Sequence, residues 1–477
     1  VLTGGIQKIV QRRLDKIPEA YRALLHVAAI AGRDLDAKLL RLLNATPDFE
    51  DWLTTTINAA VIEYRDERWR FAHDKLRQHL IDNLPPDVQR DLHRRVAETM
   101  ETIYEPEENA VALISHWRGA ENPAKEMHYI RMAGEKATQI GVYNDAQTLY
   151  ERGLELATST PTQIEFNSLL GGLYEYLSLY TEATRHLTLA LDLARQGDHT
   201  AFMPGILDKL AWIHIRYGQM DAAMEKASDV LRLARASADD SAIMQGLLLA
   251  GVVHHIRGEM QQAYDALIEA QPFAERSGEP YVQATHLNSL GAAEEGLGRS
   301  DDAIQTLTRA SELAKEIGNP ALLGNIEGNL GRLLYNQRQY SLASEHFSTA
   351  QIAFQRASNA YGDALATYYL GYLELKAGEF KTARDYLCRS LELSLSIGAE
   401  AATLGALLGA AEYHRKHSDE PRAAELLGFI RAHPAAQGDA EILRESEIIL
   451  AKLRLPDPDA ALARGAMLNL DETARHE

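Results

Sequence analysis

Small and large apolar residues recur along most of the chain at a fixed spacing of about 40 residues. An alanine returns after a step of 37 and then after six steps of 40, with a small residue twelve positions before it. The alanines are Ala146, Ala183, Ala223, Ala263, Ala303, Ala343, Ala383 and Ala423, and the small residues are Gly134, Gly171, Ala211, Gly251, Gly291, Gly331, Gly371 and Ala411. A period of this length predicts a repeat architecture.

Each unit predicts two antiparallel helices joined by a tight turn. The small residue and the alanine are expected at the crossing of the two helices, because close approach leaves no room for longer side chains. A glycine with positive φ is expected to end the first helix five positions before the alanine. Gly141, Gly218, Gly258, Gly298 and Gly378 hold this place, and Ser178, Arg338 and Ser418 are the exceptions. Neighbouring pairs should stack into a solenoid of about eight pairs, because one pair cannot bury its apolar face alone.

Two prolines modify this pattern. Pro272 falls inside a predicted second helix and is expected to kink it or to end it early. Pro421 stands at the turn of the eighth unit, which is expected to act as a cap and to lead into a looser tail.

The first hundred residues follow a different pattern. Short amphipathic segments precede a stretch in which residues 60–64 and 69–71 alternate around a charged turn at 65–68, as in a β-hairpin. Two further helices are predicted at 75–83 and 88–103. The complete prediction is an all-α chain: a small winged-helix domain with a β-hairpin at 1–105, a superhelical repeat at 106–435, and a helical cap and tail at 436–477.

Charge and composition narrow the class of protein. The first hundred residues carry 16 Lys and Arg against 15 Asp and Glu, so the formal charge of −19 arises entirely in the remainder. Such a surface repels phosphates, and we therefore expect no general binding to nucleic acid or to membranes. No apolar stretch is long enough for a membrane span and no signal peptide is visible, so a cytosolic location is expected. Cys388 is the single cysteine, which excludes an internal disulfide.

Binding is expected on the inner face of the solenoid, which first-helix residues near each small position should line. Aromatic residues and arginine, which are enriched in binding hot spots, occur there. The candidate residues are Trp212, Arg216, His255, Asn288, Glu295, Arg332, Tyr335, Tyr368 and Tyr372. The partner would be a protein or a small-molecule inducer, and ligand-induced oligomerisation is compatible with this arrangement. The alternative is that residues such as Tyr368 and Tyr372 are ordinary packing residues.

The spacing within a unit resembles the tetratricopeptide repeat (TPR). The resemblance rests on Leu290-Gly291, Ala303, Leu307 and Ala310, and on the corresponding residues Leu330-Gly331, Ala343, Phe347 and Ala350. It extends over residues of about 125 to 435. A period of 40 also falls within the range of HEAT repeats, but the glycine, alanine and aromatic positions within each pair match TPR.

The segment around the predicted hairpin resembles a second family. Residues 69–78 (WRFAHDKLRQ), with 13–18 (RLDKIP) upstream and 92–98 (LHRRVAE) downstream, look like the region after the ATPase core in STAND signal-transduction ATPases. In that class a winged helix and a superhelical sensor, often TPR, follow the ATPase module. The resemblance implies that this chain, which begins with Val1, is the regulatory part of a longer protein with an upstream ATPase module.

The STAND resemblance implies a role for His73 and Asp74. In that class a winged-helix His-Asp pair contacts the β-phosphate of bound ADP and holds the closed state. An imidazole can donate to a phosphate oxygen, and a neighbouring carboxylate can orient it. The alternative is a structural role, in which His73 and Asp74 cap the helix that follows, since an aspartate before Lys75 suits an N-cap.

The sequence contains few motifs for catalysis, nucleotide binding or metal binding. There is no G-x-x-x-x-G-K-[ST] motif, so ADP or ATP is expected only with the upstream module, and this chain is expected to hold no cofactor and not to be an enzyme. Neither the His254-His255 pair nor the pair His414 and His417 carries a metal-ligand set, so no metal is expected.

Two competing functions remain at the level of sequence. One is a plain TPR adaptor without nucleotide control. The other is a winged-helix DNA-binding regulator using Arg65, Arg68 and Arg70 of the hairpin. Acidic residues interleave these arginines, which favours a solvated, ion-paired hairpin over a DNA contact.

Overall fold

The computed structural model describes residues 3–43, 48–140, 142–177, 179–438, 440–470 and 473–474. The chain forms two compact units, Val1–Ile213 and His214–Glu477, which are described separately. This division falls inside the predicted repeat region and differs from the predicted boundaries after residues 105 and 435, which stay predictions.

The first unit begins with helices around a two-stranded hairpin. In chain order they are α1 (Thr3–Leu14), α2 (Glu19–Ala31), α3 (Ala37–Leu43), α4 (Phe49–Asn58), β1 (Ile62–Arg65), β2 (Arg68–Phe71), α5 (Asp74–Asp82) and α6 (Pro86–Ile103). The strands are antiparallel, and Ile62 pairs with Phe71. Asp66 and Glu67 both have positive φ, as a two-residue hairpin turn requires. The hairpin is therefore confirmed, whereas the winged-helix assignment stays a prediction.

The rest of the first unit is built from helix pairs. It comprises α7 (Pro106–Gly119), α8 (Pro123–Gln139), α9 (Tyr143–Leu156), α10 (Thr160–Tyr176), α11 (Tyr180–Gln196), a 3-10 turn at Thr200–Phe202 and α12 (Met203–Arg216), which crosses the division. Glu101 on α6 connects the hairpin-containing part of this unit to the first helix pairs through hydrogen bonds. Its Oε1 atom accepts hydrogen bonds from Trp117 Nε1 at 2.9 Å and from the Tyr129 hydroxyl at 2.7 Å.

The second unit continues the pairs and ends in two short helices. Its helices are α13 (Met220–Ser237), α14 (Asp240–Ile256), α15 (Met260–Ser277), α16 (Pro280–Gly296), α17 (Ser300–Ile317), α18 (Pro320–Asn336), α19 (Tyr340–Arg356), α20 (Ala360–Ala377), α21 (Phe380–Ser396), α22 (Glu400–Lys416), α23 (Glu420–Ala432), α24 (Ala440–Leu450) and α25 (Pro458–Gly465). The helices from α8 to α23 match the eight predicted pairs.

The helix pairs meet in a way that differs from the sequence-based expectation. The small residue of the first helix faces the large residue four positions after the alanine of the second helix. A Cβ atom added to Gly171 would lie 2.5 Å from Leu187, and one added to Gly291 would lie 2.6 Å from Leu307. The glycines therefore make room for a large side chain rather than for the alanine itself.

The turns within pairs follow the glycine pattern. Gly218, Gly258, Gly298 and Gly378 have φ between 70° and 88°. Arg338 and Ser418 adopt φ of 63° in the same place, so the turn geometry persists where glycine is absent. Gly141 and Ser178 lie outside the described residues.

Pro272 and the tail differ in part from the expectation. Helix α15 continues through Pro272 to Ser277, so the proline does not end this helix early. The tail was expected to be looser than the repeats, but its helix α25 crosses α23 at backbone contact distance. A Cβ atom on Gly465 would lie 1.9 Å from the carbonyl oxygen of Glu425, and only glycine allows this approach.

A larger side chain at the crossing of the two helices of a pair is expected to destabilise the protein. The Cβ atom of a residue at 331 would lie 2.9 Å from the Phe347 ring, so Gly331→Leu is expected to lower the free energy of unfolding by about 1–3 kcal/mol. Gly328→Leu on the same helix is the matched control, because its Cβ atom meets nothing within 4 Å. Equal urea midpoints for the two variants would contradict the assigned crossing.

Among the described residues, no helix combines the length and the apolar character that crossing a bilayer requires.

Candidate functional site

Four of the predicted inner-face residues form a polar cluster in the second unit. The Arg332 guanidinium on α18 donates to both carboxylate oxygens of Glu295 on α16, with Nη1–Oε1 at 3.1 Å and Nη2–Oε2 at 2.8 Å. Asn329, three residues before Arg332, donates to the Asn288 side-chain oxygen at 2.9 Å. His255 on α14 is close enough for the charges of Arg332 and Glu295 to act on its pKa. The structure therefore brings together residues from three successive first helices.

His255 is the member of this cluster with an open hydrogen-bonding position. Its ring is half-buried, and its Nδ1 atom has no hydrogen-bond partner among the described residues. Burial lowers the pKa of His255, the positive charge of Arg332 lowers it further, and Glu295 acts in the opposite direction. A neutral imidazole at this place can accept or donate one hydrogen bond.

Tyrosines of α18 and α20 form an aromatic group beside the polar cluster. The rings of Tyr368 and Tyr369 lie 4.8 Å apart at 51°, and Tyr335 lies 6.1 Å from both Tyr369 and Tyr372. Tyr372 is only 2 % exposed, and burial raises the pKa of its hydroxyl. Tyr372 was predicted as a surface contact residue, but its side chain packs in the core with Leu334 of α18, Phe347 of α19 and Leu387 of α21.

A pocket of about 210 Å³ lies between these helices and the C-terminal helix α24. It is lined by Arg332, Tyr361, Leu365, Tyr368, Tyr369, Ala402, Gly405, Leu408, Ile442 and Glu445. Two small residues of α22, Ala402 and Gly405, leave the space open. A Cβ atom on Gly405 would lie 3.6 Å from the Tyr368 ring, so a longer side chain there would enter the pocket.

Part of this lining was missed by the sequence analysis. Tyr361 and Leu365 precede Tyr368 by seven and three residues, so helical spacing could have placed them on one face. No spacing in the sequence could have placed Ile442 and Glu445 in this lining. Both residues belong to the tail, which does not follow the 40-residue repeat.

Two predicted inner-face residues lie elsewhere. Trp212 is half-buried in the first unit, and Arg216 is exposed just after the division. Neither lines the pocket described above.

His73 and Asp74 lie at the start of α5. His73 is exposed and is itself the N-cap residue, because its Nδ1 atom accepts a hydrogen bond from the Lys75 backbone N–H at 3.4 Å. Asp74 is the first helical residue and forms an ion pair with Arg33 at 3.3 Å. Of the two residues named in the capping alternative, His73 is therefore the cap, and Asp74 is the first residue of the helix.

The arginines of the hairpin are engaged by acidic neighbours. Arg70 lies 3.1 Å from Glu63 and 3.4 Å from Asp66, and Arg68 lies 3.6 Å from Asp34. These ion pairs agree with a solvated, ion-paired hairpin. Within the described parts of the chain, no group of three or more His, Cys, Asp or Glu side chains is arranged to hold a metal ion.

Comparisons with known proteins agree with the repeat. A family model described as tetratricopeptide repeat matches residues 240–316, which are the two pairs from α14 to α17. A model of anaphase-promoting complex subunit 5 matches residues 176–249 and 368–427. A comparison with curated protein sequences finds no match.

Two solved structures are similar over most of the chain. One is a Signal Transduction ATPase with Numerous Domains (STAND) protein with a tetratricopeptide repeat sensor from Pyrococcus horikoshii, with 16 % identity, a TM-score of 0.66, and coverage of 94 % of this chain and 67 % of that chain. The other is a Rap protein complexed with Competence and Sporulation Factor, with 15 % identity, a TM-score of 0.51, and coverage of 81 % and 96 %. The chain therefore has a TPR-type helical repeat fold, in agreement with TPR rather than with the HEAT alternative.

Proposed function

We propose that this chain is the regulatory sensor region of a cytosolic STAND-type ATPase and binds a protein segment or a small-molecule inducer on the inner face of its repeats. The pocket between α18, α20, α22 and α24 carries the proposal, because it joins two predicted inner-face residues, Arg332 and Tyr368, in one concave site. The similar Rap structure is a complex with Competence and Sporulation Factor, and the similar STAND protein has a TPR sensor, which supports this kind of role.

Filling the pocket is expected to weaken ligand binding. Gly405→Leu places a side chain against Tyr368, so a ligand found by thermal-shift screening of the wild-type chain should bind this variant at least tenfold more weakly. Gly328→Leu, at an open position of α18, is the matched control and should retain the affinity. A ligand that binds Gly405→Leu as tightly as the wild type would place the sensor surface elsewhere.

The second part of the proposal is control of a nucleotide switch through residues 1–105. The ADP or ATP would be held by an upstream ATPase module and contacted by His73. The exposure of His73 supports this role, because a buried cap could not reach a phosphate. The similar STAND protein is an ATPase with a tetratricopeptide repeat sensor, which supports the combination of the two parts in one protein.

His73→Ala in the natural full-length protein is expected to weaken ADP binding by about tenfold or more, because a charge-assisted hydrogen bond contributes about 1.5–3 kcal/mol. The closed state loses the same free energy, so more of the protein should open and assemble. ADP release and sedimentation measure both effects. His79→Ala on the same helix is the control.

Equal ADP retention and equal assembly in His73→Ala and His79→Ala would favour the adaptor alternative, in which α5 and its cap are purely structural.

A further inference from the structure

We propose that the pocket between α18, α20, α22 and α24 recognises a cationic amine, that is, an alkylammonium group in contact with tyrosine rings and with Glu445. This inference rests on the proposed sensor function and specifies the chemistry of its ligand. Apart from Arg332 and Glu445, the lining consists of three tyrosines, three aliphatic residues and two small residues. Among the described lining residues, these two side chains carry the charges that a ligand would meet.

The positive charge of Arg332 is already matched. Glu295 accepts from both terminal nitrogens of the guanidinium in a two-point ion pair, and the Glu295 side chain is only 13 % exposed. Such a paired geometry is among the strongest that arginine forms. A ligand carboxylate would have to compete with Glu295 and would also meet the negative charge of Glu445. The pocket is therefore poorly suited to an anion.

The negative charge of Glu445 is less well compensated. Its side chain is only 15 % exposed, so much of its hydration is lost. Its ion partner is the adjacent Arg444, at 3.6 Å, whose side chain is 59 % exposed. An exposed pair at this distance contributes little, because water screens it. A cation inside the pocket would give Glu445 a partner that is shielded from water.

The tyrosines provide the second part of the recognition. Aromatic faces attract cations, and groups of aromatic rings bind ammonium groups in this way. The planes of Tyr368 and Tyr369 are inclined at 51°, so the two rings line the pocket with different orientations. Tyr361 is 48 % exposed, which places it where the pocket meets solvent.

The size of the pocket limits the ligand. About 210 Å³ is below the range of pockets for drug-sized molecules. It accommodates a small organic cation or a single side chain. Leu365, Leu408 and Ile442 would contact the alkyl part of such a ligand. An alkylammonium group is available from a free amine or from a lysine side chain, and the experiment separates these two sources.

The first experiment titrates the complete chain with n-butylammonium chloride, 1-butanol and sodium butyrate by calorimetry. Butylammonium should bind, and the neutral and anionic analogues should bind at least tenfold more weakly. Glu445→Gln and Tyr361→Ala should each weaken butylammonium binding at least tenfold. Glu447→Gln is the matched control, because Glu447 is an exposed carboxylate on the same helix that does not line the pocket, and it should leave binding unchanged. Circular dichroism confirms that each variant is folded.

The second experiment identifies the source of the amine with acetyl-Ala-Lys-Ala-amide and its Nε-acetylated counterpart. If the lysine peptide binds more tightly than butylammonium and acetylation removes the binding, the source is a protein or peptide segment. If butylammonium binds and the peptide does not, the source is a free amine.

Three results would overturn the proposal: tighter binding of butanol or butyrate than of butylammonium, unchanged butylammonium affinity in folded Glu445→Gln, or no binding of either amine probe. Binding of butanol or butyrate that Tyr361→Ala removes would show a working pocket with a different ligand class, and the sensor function would stand. The sensor function itself is tested separately. It would fail if a ligand found by screening bound Gly405→Leu as tightly as the wild type.

Discussion

Glu327→Ala is expected to lower the free energy of unfolding of the second unit by about 3 kcal/mol. Removing one partner of a buried ion pair has a cost of this size, because the other charge is left without compensation. Glu327 on α18 is 1 % exposed and holds three helices together. Its Oε1 atom accepts from Ser311 Oγ at 2.5 Å and from Lys315 Nζ at 2.9 Å, both on α17. Its Oε2 atom accepts from His346 Nδ1 on α19 at 2.6 Å.

The charge state of Glu327 supports this estimate. Burial by itself would raise the pKa of this carboxyl, but the hydrogen bonds from His346, Ser311 and Lys315 outweigh burial and lower the pKa to about 2. The folded state therefore stabilises the carboxylate, and this contribution is present above the unfolded pKa of about 4.5 and is lost as the pH falls toward 2.

Urea denaturation followed by circular dichroism at pH 7 measures the effect. Glu316→Ala on α17 is the matched control, because Glu316 is exposed, and its midpoint should stay near that of the wild type. Glu327→Gln should be less destabilising than Glu327→Ala, because the amide oxygen still accepts a hydrogen bond. Equal midpoints for Glu327→Ala and Glu316→Ala would contradict the network.

The helix pairs were predictable from the sequence because each pair repeats the same local contact. The small position, as at Gly291 and Gly331, must face a large residue of the next helix, and this requirement returns with every period. The hairpin was predictable for a similar reason, since a short alternating stretch around a charged turn specifies its own pairing.

The buried network and the pocket were not predictable in this way. Glu327 occupies the position that Leu247 and Leu287 hold in other repeats, and its partners come from two other helices. Only the three-dimensional packing shows that a carboxylate is satisfied there. The pocket depends on Glu445, whose helix α24 lies outside the period. Tyr372 was assigned to the inner face because it follows the small position Gly371 directly, and this spacing does not show how deeply the helix is packed.

Acidification is expected to destabilise the first unit through a pair of histidines between α6 and α7. The Nδ1 atoms of His93 and His116 lie 3.1 Å apart, so one ring donates its proton to the other. His116 is 6 % exposed, and burial lowers its pKa to about 4, with His93 and Arg77 contributing positive charge in the same direction. Burial also lowers the pKa of His93, and the positive charge of Arg77 lowers it further. Protonation of the accepting ring at Nδ1 would place two N–H groups opposite each other and remove the hydrogen bond.

The direction of the pH effect follows from the lowered pKa. Between pH 6.5 and 4 the unfolded chain binds a proton at His116 and the folded chain does not, so stability falls as the pH falls through this window. At 1.36 kcal/mol per pH unit, His116 alone costs about 2 kcal/mol at pH 5.0 relative to pH 7.5. All four tryptophans of the chain lie in the first unit, so tryptophan fluorescence during urea denaturation reports on it.

A matched pair of variants isolates this contribution from the other titrating groups. His116→Gln should reduce the stability difference between pH 7.5 and pH 5.0 by about 2 kcal/mol, because glutamine binds no proton in either state. His128→Gln, at an exposed position on α8, should leave the difference as it is in the wild type. If both variants show the wild-type difference, the folded His116 takes up its proton as readily as the unfolded chain, and the two rings do not form the neutral hydrogen-bonded contact that joins α6 to α7.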